Sequence, residues 1–196
     1  GEENECRSLA AQGHELASAR RFTLVASLAN WALALLELEL GRAEEAFLRA
    51  RDISTHTAVF MAGLDRIEAA VRAGEVATAH DWLAYYEAWA ERAGAAWARA
   101  VALHGRALLA DNDEESERLF EAALDMHAQA ARPFERARTE LAFGEFLRRA
   151  HCARAGTVDV DVRLVVRIGD DRVRVRAAAS LHVRDIPRLA DVRNVE

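Results

Sequence analysis

The 196-residue sequence contains no lysine, two cysteines and two prolines. A P-loop needs a lysine on the nucleotide phosphates and a Schiff-base enzyme needs an amine, so the chain supports neither chemistry. Cys6 and Cys152 lie far apart in sequence, and two cysteines do not make a disulfide framework. The longest apolar run, near residues 31–36, is too short to cross a bilayer. These absences predict a reduced, cytoplasmic setting and no membrane partner.

The chain contains more acidic than basic residues. The formal net charge is −6, which argues against a general nucleic-acid or anionic-membrane surface. Hydrophobic residues make up 52% of the chain and charged residues 30%, as is typical of a globular protein rather than a disordered one. The acidic N-terminus lacks methionine, so we expect a fragment rather than a signal peptide.

A short phrase recurs where one apolar-periodic stretch ends and the next begins. It reads Gly-Arg-Ala-Glu-Glu-Ala at 41–46, Gly-Glu-Val-Ala-Thr-Ala at 74–79 and, more weakly, Asp-Asn-Asp-Glu-Glu-Ser at 111–116. Intervals of 33 and 37 residues are typical of stacked helix-turn-helix units. Apolar residues follow the last residue of each phrase by four and seven positions: Ala50 and Ile53, Leu83 and Tyr86, Phe120 and Ala123. This spacing predicts a buried stripe on the second helix of each unit.

Glycine, proline and Asp/Asn positions divide the first 150 residues into predicted helices. We expect these at 3–20, 23–40, 43–54, 57–73, 76–93, 96–110, 114–131 and 134–150. Gly41, Gly74 and Gly94 stand where a helix C-terminus favours positive φ. The four tryptophans are predicted to anchor the core rather than to form a ligand cage; they are Trp31, Trp82, Trp89 and Trp97.

The last predicted helix has one apolar face. That face consists of Phe134, Ala137, Leu141, Gly144 and Leu147. We expect three of its residues, Leu141, Gly144 and Leu147, to be buried against the preceding helix, together with Leu119, Phe120, Ala123 and Leu124 of that helix. A glycine inside a helix lowers its stability, so Gly144 predicts a close approach by a neighbouring helix.

The composition changes near residue 153. Residues 1–153 contain 19 Glu, 5 Val and every Phe, Trp and Tyr, whereas residues 154–196 contain 1 Glu, 10 Val and none of those aromatic residues. The formal net charge changes from −8 to +2. Alternation over 158–166 and 173–176 around a turn predicts a β-hairpin. We therefore expect a helical repeat domain at 1–153 and a β-prone tail at 154–196. Two origins of the tail stay open, a native hairpin and a reading-frame change in the source sequence.

Four phrases, at residues 31–46, 67–74, 119–127 and 132–149, resemble the tetratricopeptide-like helical region of large ATP-binding LuxR-family (MalT-like) transcriptional regulators. The resemblance covers about residues 1–150, and its last phrase is the most specific. It implies an all-α stack of about four antiparallel helical hairpins, an α-α superhelix. In that family the stack lies between an ATPase and a helix-turn-helix, and neither is recognised in this sequence. The family continues past Arg149 with another amphipathic helix, and there this chain departs from it.

No constellation of residues predicts a catalytic, cofactor-binding or metal-binding site. The acidic segment 111–115 has Ser116 and Ala122 where a calcium loop has glycine and glutamate, so we expect a solvated helix N-terminus. The seven histidines are 22 residues or more apart, so no pair has helical ligand spacing; they are His14, His56, His80, His104, His127, His151 and His182.

Two further clusters favour a structural interpretation. His151 and Cys152 are neighbours in sequence, and such neighbours do not face each other on a helix. Six arginines could hold an acidic partner, but interleaved glutamates make helix-surface ion pairs the commoner explanation; the arginines are Arg132, Arg136, Arg138, Arg148, Arg149 and Arg154.

The leading expectation is therefore a non-catalytic sensing or protein-interaction segment of a LuxR-family transcriptional regulator. It would capture a protein partner or a small inducer in the groove between hairpins and would not itself bind nucleic acid. Homo-oligomerisation is compatible with this function. A free-standing tetratricopeptide adaptor and, less favoured, a small all-α enzyme stay open as alternatives.

Overall fold

The computed structural model describes residues 2–130, 132–155, 159–168 and 171–180. The chain divides into two compact units, Gly1–Ala130 and Ala131–Glu196. The predicted boundary at residue 153 falls inside the second unit. The first unit contains α1 (Glu2–Arg20), α2 (Thr23–Glu39), α3 (Ala43–Arg51), α4 (His56–Met61), α5 (Gly63–Arg72), α6 (Val76–Ala93), α7 (Ala96–Leu108) and α8 (Asp113–His127). The predicted all-α class is confirmed.

One predicted helix is divided in two. Residues 57–73 were expected to be continuous, but α4 ends at Met61 and α5 begins at Gly63. Gly63 lies against the ring of Tyr86 on α6, and a Cβ added there would come within 2.2 Å of a ring carbon. Glycine allows this close approach and also weakens helical continuity. The break therefore coincides with a close tertiary contact that the local pattern does not reveal.

The first two copies of the recurring phrase form the same turn. Gly41 has φ 72° and Gly74 has φ 77°, and both follow the end of a helix. The N–H of Arg42 donates to the Glu37 carbonyl at 2.8 Å, and the N–H of Glu75 donates to the Ala70 carbonyl at 2.9 Å. These hydrogen bonds close the last helical turn across the glycine. The predicted positive φ at both glycines is confirmed, and so is that at Gly94, with φ 64°.

The second helix of each pair buries the predicted stripe. All six stripe residues are at most 6% exposed, and so are the small residues Ala46, Ala79 and Ser116 that close the three phrases. Five of the six stripe residues lie on α3, α6 or α8, and Ile53 lies two residues beyond the end of α3. Each of these helices contacts the helix before it, in the pairs α2 and α3, α5 and α6, and α7 and α8. The first helices of successive pairs also touch, since α5 contacts both α2 and α7. The predicted burial of all six positions is confirmed, but the predicted helix around Ile53 is not, because α3 ends at Arg51.

The helix α5 is buried on every side. Its first eight residues are all buried, including Asp65, Arg66 and Glu68, because α2, α3, α6 and α7 all contact this helix. The Trp31 indole N–H donates to the Asp65 carboxylate at 2.6 Å, and Glu68 pairs with Arg72 at 2.6 Å. Buried polar groups are accommodated only when such partners exist.

The tryptophans pack against the core but are not fully enclosed. All four are half-buried. Trp82, Trp89 and Trp97 pack on the central cluster formed by α4 to α7, and Trp31 packs on the cluster around Ile53. The predicted role as core anchors is confirmed.

The second unit contains α9 (Pro133–Ala155), β1 (Asp159–Ile168) and β2 (Asp171–Ser180). The strands pair antiparallel, with Val162 opposite Ala177, and α9 contacts both of them.

The predicted burial on α9 is wrong at Gly144 and only partly met at Leu141 and Leu147, which are half-buried. Gly144 is exposed, and a Cβ added there would meet no atom of the described residues within 4 Å. Thr139, Phe146 and Ala150 are buried instead. Apolar residues occur all round this helix, so periodicity does not identify the side that is covered.

Candidate functional site

The acidic segment at 111–115 begins a helix, as predicted. The Asn112 side chain caps α8 by accepting a hydrogen bond of 2.9 Å from the Glu115 N–H. Asp113, Glu114 and Glu115 occupy the first turn and are exposed. Carboxylates at this end of a helix complement its dipole, so the segment is accounted for without a ligand.

The structure brings together two histidines that sequence spacing does not connect. His104 on α7 and His127 on α8 are each 1% exposed. The His104 ring also meets the Phe120 ring edge-on, with centroids 5.2 Å apart. Burial, and next the neighbouring His127, lower the pKa of His104 to about 3. This histidine is therefore neutral in the folded protein near neutral pH.

Two of the six arginines, at and near the start of α9, form the predicted surface ion pairs. Arg132 pairs with Glu135 at 3.2 Å, and Arg136 pairs with Glu140 at 2.8 Å. Cys6 is a half-buried free thiol on α1. The side chains of the His151–Cys152 pair lie outside the described residues.

A groove of about 560 Å³ lies among α1, α2 and α3. Its lining combines four arginines, three carboxylates and one leucine: Arg7, Glu37, Arg42, Glu45, Leu48, Arg49, Arg51 and Asp52. We call it the α1–α3 groove.

The most buried residue of this lining is Glu37, which is 3% exposed. Its carboxylate accepts hydrogen bonds of 2.6 and 3.0 Å from the Arg7 guanidinium and one of 3.4 Å from Arg42. Both arginines also bond to Glu3. Glu37 thus ties α1 to α2 and to the turn after α2, and it fixes two arginines on one side of the groove.

The protonation states in this network are those of a structural ion pair. The hydrogen bond from Arg7 lowers the pKa of Glu37 despite its burial, and the bonds to Glu37 and Glu3 raise the pKa of Arg7. Both shifts favour the charged forms. A general acid or base needs a pKa near the working pH instead. The Glu37–Arg7 pair is therefore suited to holding charge in place rather than to transferring protons.

The other side of the groove carries two arginines from the last turn of α3. Arg49 and Arg51 are exposed, and neither forms an ion pair with any residue that the structure describes. Both complement the negative end of the α3 dipole. Their guanidinium groups remain able to bind an anionic group in the groove.

The end of α3 and the segment that follows it are held by buried polar contacts. The Arg66 Nε–H donates to the Ala50 carbonyl at 3.2 Å, and its guanidinium lies 4.1 Å from the centre of the Trp82 ring. Burial lowers the pKa of Arg66 to about 10, opposed by the field of Tyr85. The Ser27 hydroxyl also accepts the backbone N–H groups of residues 54 and 55. One side of the groove is therefore fixed before any ligand arrives.

A second groove, of about 220 Å³, is lined by residues of α6, α7 and α8. Its two arginines are already paired, Arg99 with Glu91 at 3.3 Å and Arg106 with Glu87. Because its charges are satisfied internally, this groove is less suited to an anion than the α1–α3 groove.

Compared with known proteins, the chain matches no protein-family model, no curated protein and no solved structure. Within the described parts of the chain, no three His, Cys, Asp or Glu side chains are grouped so as to hold a metal ion. Of the helices described, none has both the length and the apolar character needed to span a membrane.

Sequence reasoning did not find the α1–α3 groove, because its residues come from three helices and a connecting segment. One feature of the sequence does indicate the Glu37 network. Glu37 falls among the apolar positions Leu33, Ala34 and Leu38 of α2, all of which are buried. A carboxylate on the buried face of a helix indicates a cationic partner from another element.

Proposed function

We propose that this chain is a non-catalytic sensing and interaction segment of a LuxR-family transcriptional regulator, built as a tetratricopeptide-like stack of helical hairpins. The resemblance of residues 31–46 and 132–149 to MalT-like regulators suggests the class. The repeated turn at Gly41 and Gly74, together with the stripe buried equivalently on α3 and just after it, on α6 and on α8, supports the hairpin stack.

The observation that carries the sensing role is the α1–α3 groove. Its volume of about 560 Å³ is within the range of sites for small molecules. Arg7 and Arg42 are committed to Glu37 and Glu3, which leaves the arginines at the end of α3 for a ligand. We infer that the groove takes a small polar inducer with an anionic group, such as a carboxylate or a phosphate.

Binding at this position has a mechanical consequence. A ligand in the groove would touch α1, α2 and α3 together, so it would favour one relative arrangement of these helices over others. In a linear stack each unit contacts its neighbours, and a change at one pair is passed to the next. The helix α5, which contacts both α2 and α3, would receive such a change first.

A thermal-shift screen of the full chain tests this proposal. The probes are inorganic phosphate, citrate, a hexose phosphate and a nucleotide. We expect at least one of them to raise the melting temperature saturably, and this rise should disappear in the double variant Arg49→Ala/Arg51→Ala. The matched control is Arg92→Ala, since Arg92 is an exposed arginine of α6 outside the groove.

Two results would contradict the sensing role. One is a melting temperature that none of the anionic probes changes in the wild-type chain. The other is a rise that the double variant retains in full, because the ligand would then bind elsewhere.

A further inference from the structure

Six large apolar side chains are exposed on the first two helices and on the turn between them, and we call them the α1–α2 surface: Leu9, Leu16, Phe22, Leu24, Val25 and Leu28. Leu9 is 60% and Leu16 is 57% exposed. Single exposed leucines are ordinary, but a concentrated group of large apolar side chains marks an interaction site.

The two helices contribute to one continuous surface. Gly13 of α1 lies against Ala29 of α2, and a Cβ added to the glycine would be 3.9 Å from the alanine Cβ. Leu9 and Leu16 lie four and three residues from Gly13, on the same side of α1, and Val25 lies four residues from Ala29. Apolar side chains from both helices therefore flank the same contact.

Four exposed residues of α1 occupy symmetric positions about one point of the helix. Leu9 and Leu16 are equally distant from the point between residues 12 and 13, and so are Glu5 and Arg20. All four side chains are exposed, and their spacing places them on one face of the helix. Neither Glu5 nor Arg20 forms an ion pair with a residue that the structure describes. The face thus has an apolar centre, an acidic end and a basic end.

We propose that the chain forms a two-fold symmetric homodimer through the α1–α2 surface, with the two α1 helices antiparallel. A two-fold axis that passes between residues 12 and 13 of α1 sets Leu9 of each copy against Leu16 of the other, and Glu5 of each against Arg20 of the other. A parallel arrangement would oppose Glu5 to Glu5 and Arg20 to Arg20. The charges therefore select the antiparallel dimer.

Sedimentation equilibrium of the full chain, from low to high micromolar concentration, tests the interface. The wild type should show a reversible monomer–dimer equilibrium. Leu16→Glu should raise the dissociation constant at least about tenfold, because each dimer contains the substitution twice at the centre of the interface. The control is Val76→Glu, at an apolar residue of α6 that is 50% exposed and lies outside the surface; it should dimerise like the wild type. Circular dichroism checks that the variants keep their helices.

A charge exchange tests the antiparallel direction. Glu5→Arg and Arg20→Glu, made separately, should each weaken the dimer about tenfold because each places like charges opposite one another at two positions. The double variant Glu5→Arg/Arg20→Glu exchanges the two ends and should regain wild-type affinity. A wild type that stays monomeric at every concentration would overturn the proposal. So would undiminished dimerisation of Leu16→Glu, or a double variant no tighter than either single one.

Discussion

Acidification should weaken the contact between α7 and α8, because His104 is buried there in its neutral form. The side chain is 1% exposed, and both the Phe120 ring and His127 are close to it. Burial is the main cause that lowers the pKa of His104 to about 3, and His127 adds to it. Protonating this ring in place would put a charge into a buried site.

The sign of the effect follows from proton linkage. An unfolded histidine has a pKa of about 6.5, so the unfolded chain binds the proton more tightly than the folded one. The stability that neutral His104 contributes is complete above about pH 6.5 and is lost as the pH falls towards 3. Between pH 7 and pH 5 the free energy of unfolding should fall by about 2 kcal/mol on account of this one group.

Urea titrations followed by circular dichroism, repeated from pH 7 to pH 5, measure this loss. The variant His104→Gln removes the titrating group, so its unfolding should take up nearly one proton fewer than that of the wild type. The free energy of unfolding of the variant should therefore fall less between pH 7 and pH 5, whatever its value at pH 7. The matched control, His80→Gln, changes an exposed histidine of α6 and should keep the wild-type dependence. Identical pH dependence in wild type and His104→Gln would refute the reasoning.

Four further changes test the packing and the tail. Gly63→Ala should lower the free energy of unfolding by about 1–3 kcal/mol, because the new Cβ would meet the Tyr86 ring. Gly13→Ala should raise it by up to about 1 kcal/mol, because that position has room for a Cβ. Urea titration of both variants compares the two. Phe120→Ala should cost about 3–5 kcal/mol, since the side chain is 1% exposed, and a cost below about 1 kcal/mol would contradict its core position. Deleting residues 154–196 should leave the helical circular dichroism of the remainder largely intact, because that segment contains no aromatic anchor, and collapse of the signal would show that the segment is needed for folding.

Rules about neighbouring residues in sequence were sufficient to predict most helices and turns of the first unit. The ends of α2 and α5 depend on one glycine each, and the buried stripes depend on spacing within a single helix. Such features are determined by neighbours in sequence, so they can be predicted without knowing the rest of the fold. The break before Gly63 was not predicted; it coincides with a close approach of Tyr86 from another helix, which local spacing does not reveal.

The candidate sites depended almost wholly on tertiary structure. Glu37 acquires its function from Arg7, thirty residues away on another helix. His104 and His127 meet because α7 and α8 are adjacent and connected by a short segment. Residue spacing within one helix detects ligand pairs on a single face, so it has no means of detecting either association.

The regulator assignment is tested most directly by the nucleotide sequence on both sides of the codons for residues 1–196, translated in all three frames. The account predicts that the same open reading frame encodes a P-loop ATPase upstream. A helix-turn-helix should follow downstream, in this frame or in the frame that extends the amphipathic pattern of α9 beyond Arg149. A start and a stop codon that enclose only the helical repeats, with neither flanking domain in any frame, would contradict the assignment and favour a free-standing adaptor.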